Sequence, residues 1–213
     1  MRHHPPRGFT LIEMLTVMAV IAILASLILS VNGYVTRTAA VKRAEGEIAA
    51  FNSACEVYKS DNGSYPRSND TDVLDSKASG NPNTSDYKKA NLELYRALSG
   101  DATPASSPDG KAETNPYFPF KRDQLNVKKD ANGNILQVNF LQDPFGNPYG
   151  YSTAGMAAEQ AYQEKVRSSP DAARDSKSKG HNSTIDIWST GGSVSGGTEN
   201  GEPKDVKKWV KNW

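Results

Sequence analysis

From Phe9 to Val31 the chain is apolar at nearly every position and holds one charge, Glu13, close to the start. The polar residues among them, Thr10, Thr16, Ser26 and Ser30, carry hydroxyls that can bond back to helix carbonyls. Apolar on all sides, the stretch predicts a helix that is not surrounded by water. At 1.5 Å per residue it would be roughly 35 Å long, enough for a hydrocarbon core of about 30 Å. Beyond it the apolar positions thin to a single stripe. Val41, Ala44, Ile48, Phe51, Cys55 and Tyr58 recur at helical spacing, with Lys42, Arg43, Glu45, Glu47, Asn52, Glu56 and Lys59 between them. The helix is therefore expected to continue as an amphipathic one to about residue 62. There Asn62-Gly63 offers a left-handed cap and Pro66 prevents resumption.

After the helix the pattern is broken by polar loops. Residues 67 to 86 read as loop. Thr84-Ser85-Asp86 caps a second helix over 86 to 98, which places Tyr87, Leu94, Tyr95 and Leu98 near one face and closes at Gly100. Residues 101 to 116 form a proline-rich loop. Pro119 confines the aromatic run 117 to 120 to an edge or a loop. Residues 126 to 128 and 135 to 140 flank Asn132-Gly133, a strong hairpin signal. The prolines and glycines of Asp143-Pro144-Phe145-Gly146-Asn147-Pro148-Tyr149-Gly150-Tyr151 force a tight turn, with Tyr149 and Tyr151 alternating as in a strand. A short surface helix is expected over 156 to 167 and an alternating strand over 185 to 189. A flexible glycine-rich run over 191 to 201 and a last short element at 205 to 210 complete the chain, with Trp209 over the core.

Composition narrows the functions open to such a chain. With 25 basic and 24 acidic residues the net charge is +1, which argues against nucleic-acid binding by bulk electrostatics. Mean hydropathy is −0.62 despite the apolar start, so the remainder is polar, with a modest core and long loops. The single cysteine, Cys55, excludes an internal disulfide and, lying on the apolar stripe, reads as a small buried hydrophobe. Apart from His3 and His4 the one histidine is His181, and there is no Cys/His cluster for zinc, no nucleophile–base pair and no phosphate-binding loop. The inventory does not support an enzyme.

The junction Arg7-Gly8-Phe9-Thr10-Leu11-Ile12-Glu13 decides between a removable signal peptide and a retained helix. The apolar run exceeds the roughly 7–15 residues of a signal-peptide core, and no clear small-x-small site follows it. A carboxylate within such a run is costly and marks a functional site. Gly8-Phe9-Thr10-Leu11-Ile12-Glu13 resembles the leader junction of type IV pilins and type II secretion pseudopilins. The resemblance implies cleavage between Gly8 and Phe9 by a prepilin peptidase and methylation of the new amine at Phe9. It also makes Glu13 the residue that meets such an amine and sets subunit register. Tyr58 to Pro66 and Asp143 to Tyr149 are similar to segments of the major pseudopilins.

The implied fold is α+β and pilin-like: a long N-terminal helix whose upper half packs on a small antiparallel sheet. The expected organisation is a leader (1–8), a transmembrane and filament-core helix (9–31), its amphipathic continuation (32–62) and a periplasmic head (63–213). Residues 155–181 read as an insertion, being longer than the family pattern needs. The implied role is that of a subunit of a secretion filament at the inner membrane, with its N-terminus cytoplasmic and its head periplasmic. The implied partners are copies of itself, minor pseudopilins, the peptidase, the inner-membrane assembly platform and the lipid bilayer, with no nucleic acid. Alternatives are a type IV pilin of a surface fibre or DNA-uptake system, and a membrane-anchored periplasmic binding module. The resemblance further implies a calcium loop within Ser189 to Asp205, with Ser189, Glu199 and Asp205 as oxygen donors. The family pattern has Asp-Gly shortly after Ser-x-Gly, where this chain has Gly192-Ser193-Val194.

Overall fold

A computed structural model of the chain describes residues 8–104, 115–169, 171, 174, 179–194, 198–199 and 202–213; the side chains of 28–32 and 198–199 are not among those described. The fold is α+β, and the chain divides into two compact units, Met1–Ala40 and Val41–Trp213. The long helix α1, Leu11–Asn62, begins in the first and ends in the second.

In the first unit α1 has no core of its own. Leu11, Ile12, Leu15, Met18, Ile21, Ile23 and Leu27 are all exposed, Leu11 to 90%. A helix with apolar side chains on every face is stable in water only when something else covers it. Its hydroxyls are turned inward to the backbone, Thr16 Oγ1 to the Glu13 carbonyl at 2.9 Å and Ser26 Oγ to that of Ile23 at 2.7 Å, which leaves the surface still more apolar. Among the described residues no helix is long and apolar enough to cross a membrane. Leu11 to Leu27 rises about 25 Å, against about 30 Å of hydrocarbon.

In the second unit the apolar stripe is buried. Ala44, Ile48, Phe51, Ala54 and Cys55 pack with Leu94, Tyr95, Leu98, Val138, Leu141, Tyr149, Tyr151, Ile185, Ile187 and Val210 in one core, while Val41 and Tyr58 lie at its edge. Phe51 is at the centre, its ring 5.1, 5.6 and 5.3 Å from those of Phe118, Phe120 and Tyr149. The helix ends at Asn62, and Gly63 takes the left-handed conformation that stops it.

Helix α2, Asn69–Val73, occupies a stretch whose polar composition predicts only loop. Thr71 makes the difference: its hydroxyl accepts the Ser68 N–H at 2.9 Å, and it lies 2.6 Å from the Thr153 hydroxyl. Helix α3, Ser85–Ser99, ends on left-handed Gly100 as its sequence predicts. Strands β1, Leu125–Lys129, and β2, Ile135–Leu141, form the expected hairpin around Gly133. Strand β3, Gly150–Ser152, is followed by α4, Ala154–Ser168, which starts two residues ahead of the expected helix.

Strand β4, Asp186–Ser189, departs from the expected alternation, because all four of its residues are buried. It is the central strand of the sheet β3-β4-β7, where β7 is Val210–Lys211, and both its faces carry a core. Ile187 points into the Phe51 cluster. Trp188 lies in a second cluster with Leu74, Tyr87, Ala90 and Trp209, stacked on Trp209 with centroids 5.9 Å apart. Gly150 faces Trp188 across the ladder, and a Cβ there would run into the indole, so only glycine fits. Part of the glycine-rich run forms β5, Thr198–Glu199, paired with β6, Glu202–Pro203, rather than staying irregular.

Buried Asp186 gathers two loops at the head of β4. Its carboxylate accepts the Ser76 hydroxyl at 2.5 Å and the amides of His181 and Asn182 at 2.8 and 2.9 Å. His181 stacks on Trp213 at 4.4 Å, and burial lowers its pKa against an opposing pull from Asp186. The folded chain therefore takes up this proton less readily than the unfolded chain, whose histidine titrates at about 6.5. The contribution to stability is whole above that pH and is lost as pH falls through the lower folded value. Denaturant titrations between about pH 7 and pH 5 should show the chain losing more stability than its His181→Phe variant, which keeps the stacking without the proton; equal losses would contradict this.

Candidate functional site

At the N-terminal junction Gly8 and Phe9 precede the helix and are exposed, Phe9 to 75%. Thr10 and Glu13 then close on each other. Glu13 Oε2 accepts the Thr10 N–H and the Thr10 hydroxyl, each at 2.8 Å, and the Glu13 N–H donates to Thr10 Oγ1 at 3.3 Å. This reciprocal arrangement satisfies amides that the first turn would otherwise leave open. Glu13 thus lies four residues beyond Phe9, with its carboxylate folded back toward the bond between Gly8 and Phe9. The expected partner of Glu13 is a Phe9 amine, its own or a neighbour's; in this structure its carboxylate is engaged by Thr10.

The segment Asp143 to Tyr149 is a closed turn, bridged from Gln142 to Pro148. Asp143 Oδ1 accepts the amides of Phe145 and Asn147 at 3.0 and 2.8 Å, and its Oδ2 accepts the buried Ser189 hydroxyl at 2.5 Å. Burial pushes the Asp143 pKa up, while these three bonds pull it back. Gly146 supplies the left-handed residue the turn needs. Pro144 and Pro148 require no donor there. The turn carries no chemistry of its own and acts as a fastener between β2, β3 and the end of β4.

Three residues that hold this fastener escaped the sequence reading. Asn91 of α3 is fully buried. Its amide donates to the carbonyls of Leu141 and Tyr149 at 3.0 and 2.8 Å and accepts the Leu141 N–H at 2.6 Å, tying both ends of the turn to one side chain. Glu47 of α1 accepts the Tyr149 hydroxyl at 2.5 Å and Arg43 Nε at 2.8 Å, and Arg43 reaches on to Asp123 at 2.8 Å. Burial first, then the Glu47 carboxylate, raises the Tyr149 pKa. A signal existed for Asn91, which falls in phase with the apolar face of its helix, where a polar residue has to find partners; Glu47 lies beside the stripe of its own.

Of the three expected calcium donors, Ser189 and Asp205 have described side chains, and each has partners of its own. Ser189 Oγ is buried and donates to Asp143, Asp205 engages Ser193 and Lys208, and the Glu199 side chain lies outside the described residues. Among the described residues no group of three carboxylate, histidine or cysteine side chains could hold a metal ion. Calcium takes on the order of six to eight converging oxygens, and the described carboxylates of this loop do not gather to supply them.

Replacing Asn91 by Ala strands two carbonyls and an amide in the core and should cost about 3 kcal/mol in unfolding free energy. Tyr149→Phe removes one bond to a charged acceptor that keeps Arg43, so about 1.5 kcal/mol is expected. Urea titration of both variants checks the order, and a Tyr149→Phe loss exceeding that of Asn91→Ala would refute the clamp.

Comparison with known proteins bears on the junction first. Residues 5–29 match the prokaryotic N-terminal methylation motif. Over 90 residues, 42% of this chain, the sequence is 34% identical to Type II secretion system core protein G of Pseudomonas aeruginosa. The match takes in 63% of that relative, so the chain spans a little under two thirds of its length. No solved structure matches the chain. The α+β chain thus carries an N-terminal methylation motif at the head of its long helix and is homologous to a type II secretion core protein G.

Proposed function

We propose that the chain is a structural, non-enzymatic pilin-type subunit of a type II secretion filament. A prepilin peptidase cuts between Gly8 and Phe9 and methylates the Phe9 amine. The apolar run from Phe9 to Val31 then holds the subunit in the inner membrane, with the head in the periplasm, until assembly. In the filament the same run packs against its copies, exchanging lipid for other helices. Glu13, released from its contact with Thr10, pairs with the Phe9 amine of a neighbour and fixes the stagger between helices. Minor pseudopilins, the assembly platform and the bilayer are the partners this requires.

The observation that carries the reading is the contrast along one helix. Every described apolar side chain from Phe9 to Leu27 is exposed, directly behind a junction matched by the methylation motif, while Ala44, Ile48, Phe51, Ala54 and Cys55 are buried in the head. The head satisfies its own core, whereas the lower helix requires company.

Mass spectrometry of the native subunit should find a chain that begins at methylated Phe9. A mature chain that begins near Ser26 or Gly33 would refute the reading. Glu13→Ala should abolish incorporation into sheared filaments while the head keeps its near-ultraviolet circular dichroism. Normal assembly of this variant would remove Glu13 from the mechanism.

A further inference from the structure

The C-terminal loop is closed by a contact that the family resemblance does not anticipate. Asp205 has φ 64° and ψ 9° and is the one non-glycine residue with positive φ among those described. A left-handed aspartate is uncommon and is held only where its surroundings fix it. Here its two carboxylate oxygens face different partners. Oδ1 takes Lys208 Nζ at 2.7 Å, and Oδ2 accepts the Ser193 hydroxyl at 3.1 Å. The Lys208 N–H returns to the Asp205 carbonyl at 2.7 Å, and the Lys208 carbonyl lies so close over Gly191 that a Cβ there would collide with it. The Ser193 N–H bonds the Thr190 carbonyl at 3.0 Å, and Ser189 pairs with Val210 in the sheet. The end of β4 and the approach to β7 are therefore stitched together around one carboxylate.

A divalent cation in such a loop would draw carboxylates and carbonyls inward as ligands. The donor set here has a different charge. The position where the resemblance calls for an aspartate holds Ser193, which donates to Asp205 instead of adding a second negative charge. An ammonium sits on the remaining oxygen. Among the described contacts of Asp205, one carboxylate, one hydroxyl and one ammonium are neutral together. Lys208, then the Ser193 hydroxyl, lowers the Asp205 pKa, as a tethered counter-ion should.

We propose that Lys208 Nζ is the cation of this loop, a tethered ammonium in place of a bound calcium, so that closure of Thr190–Ser193 against Asp205–Lys208 does not depend on calcium. The pair is solvent-exposed, with 60% of the Lys208 and 35% of the Asp205 side chain accessible, so salt screens it. Closure by lysine is thus insensitive to chelators and sensitive to ionic strength, the reverse of a calcium site.

The test uses the full chain in detergent micelles and reads the melting of the head, which is independent of filament assembly. Midpoints are measured in EDTA and in about 10 mM calcium chloride at matched ionic strength, a concentration that loads even extracellular sites with dissociation constants of about 0.1–1 mM. The midpoint should be the same in both. Lys208→Gln should melt below the unaltered chain, and Lys208→Asp, which sets two carboxylates together, lower still in EDTA. Amide exchange at residues 190–193 should quicken in the same order. A calcium-induced rise of several degrees in the unaltered chain, the size that ligand linkage gives a loaded site, would overturn the proposal. So would a Lys208→Asp variant that melts and exchanges like the unaltered chain.

Discussion

The buried ring of Phe51 meets Phe118, Phe120 and Tyr149 at edge and tilted angles, and the head forms around that contact. Among the described residues its sheets have two, three and two strands. Sheets of two strands are marginal alone, and the three-stranded one is built of segments only two to four residues long. The first two need a common surface to bury against, and the stripe of Ala44, Ile48, Phe51, Ala54 and Cys55 provides it. Burial of aromatic side chains, each worth a few kcal/mol in transfer free energy, outweighs what so few ladder bonds contribute.

Because the apolar surface is small, position within the head is fixed by buried polar groups. Asn91 holds both ends of the Asp143 turn, Asp143 holds the end of β4, and Asp186 holds its beginning. Each is a side chain of low exposure with several partners, the condition under which burying a polar group specifies structure instead of costing stability. Glu47 joins the same arrangement to the helix through Tyr149. The lower helix, by contrast, has hydroxyls bonded to its own backbone and Glu13 bonded to Thr10, so its outer surface is left for whatever covers it.

The described part of the loop at Asp205 is held by contacts within the chain. The turn at Asp143 takes the tight form that its prolines and glycines predict. In the C-terminal loop, Ser193 and Lys208 supply a hydrogen bond and a positive charge by local means.

What the sequence determined by itself was set by period and by stereochemically restricted residues. The extent of α1, the course of α3 to Gly100 and the hairpin at Gly133 follow from spacing and from glycines in left-handed positions, which are local properties of the chain. The junction at Gly8 and Phe9 was legible because so few residue patterns place a lone acid behind such a site. What only tertiary structure decided were features whose cause is distant in sequence. Strand β4 is buried on both faces because two separate clusters meet there, so its pattern does not alternate. Helix α2 forms where Thr71 meets Thr153, 82 residues away, and Asn91 becomes a clamp only when β2 and β3 arrive beside it. A polar residue on an apolar stripe announces that a partner is needed; which backbone atoms answer depends on long-range packing, which no local pattern encodes.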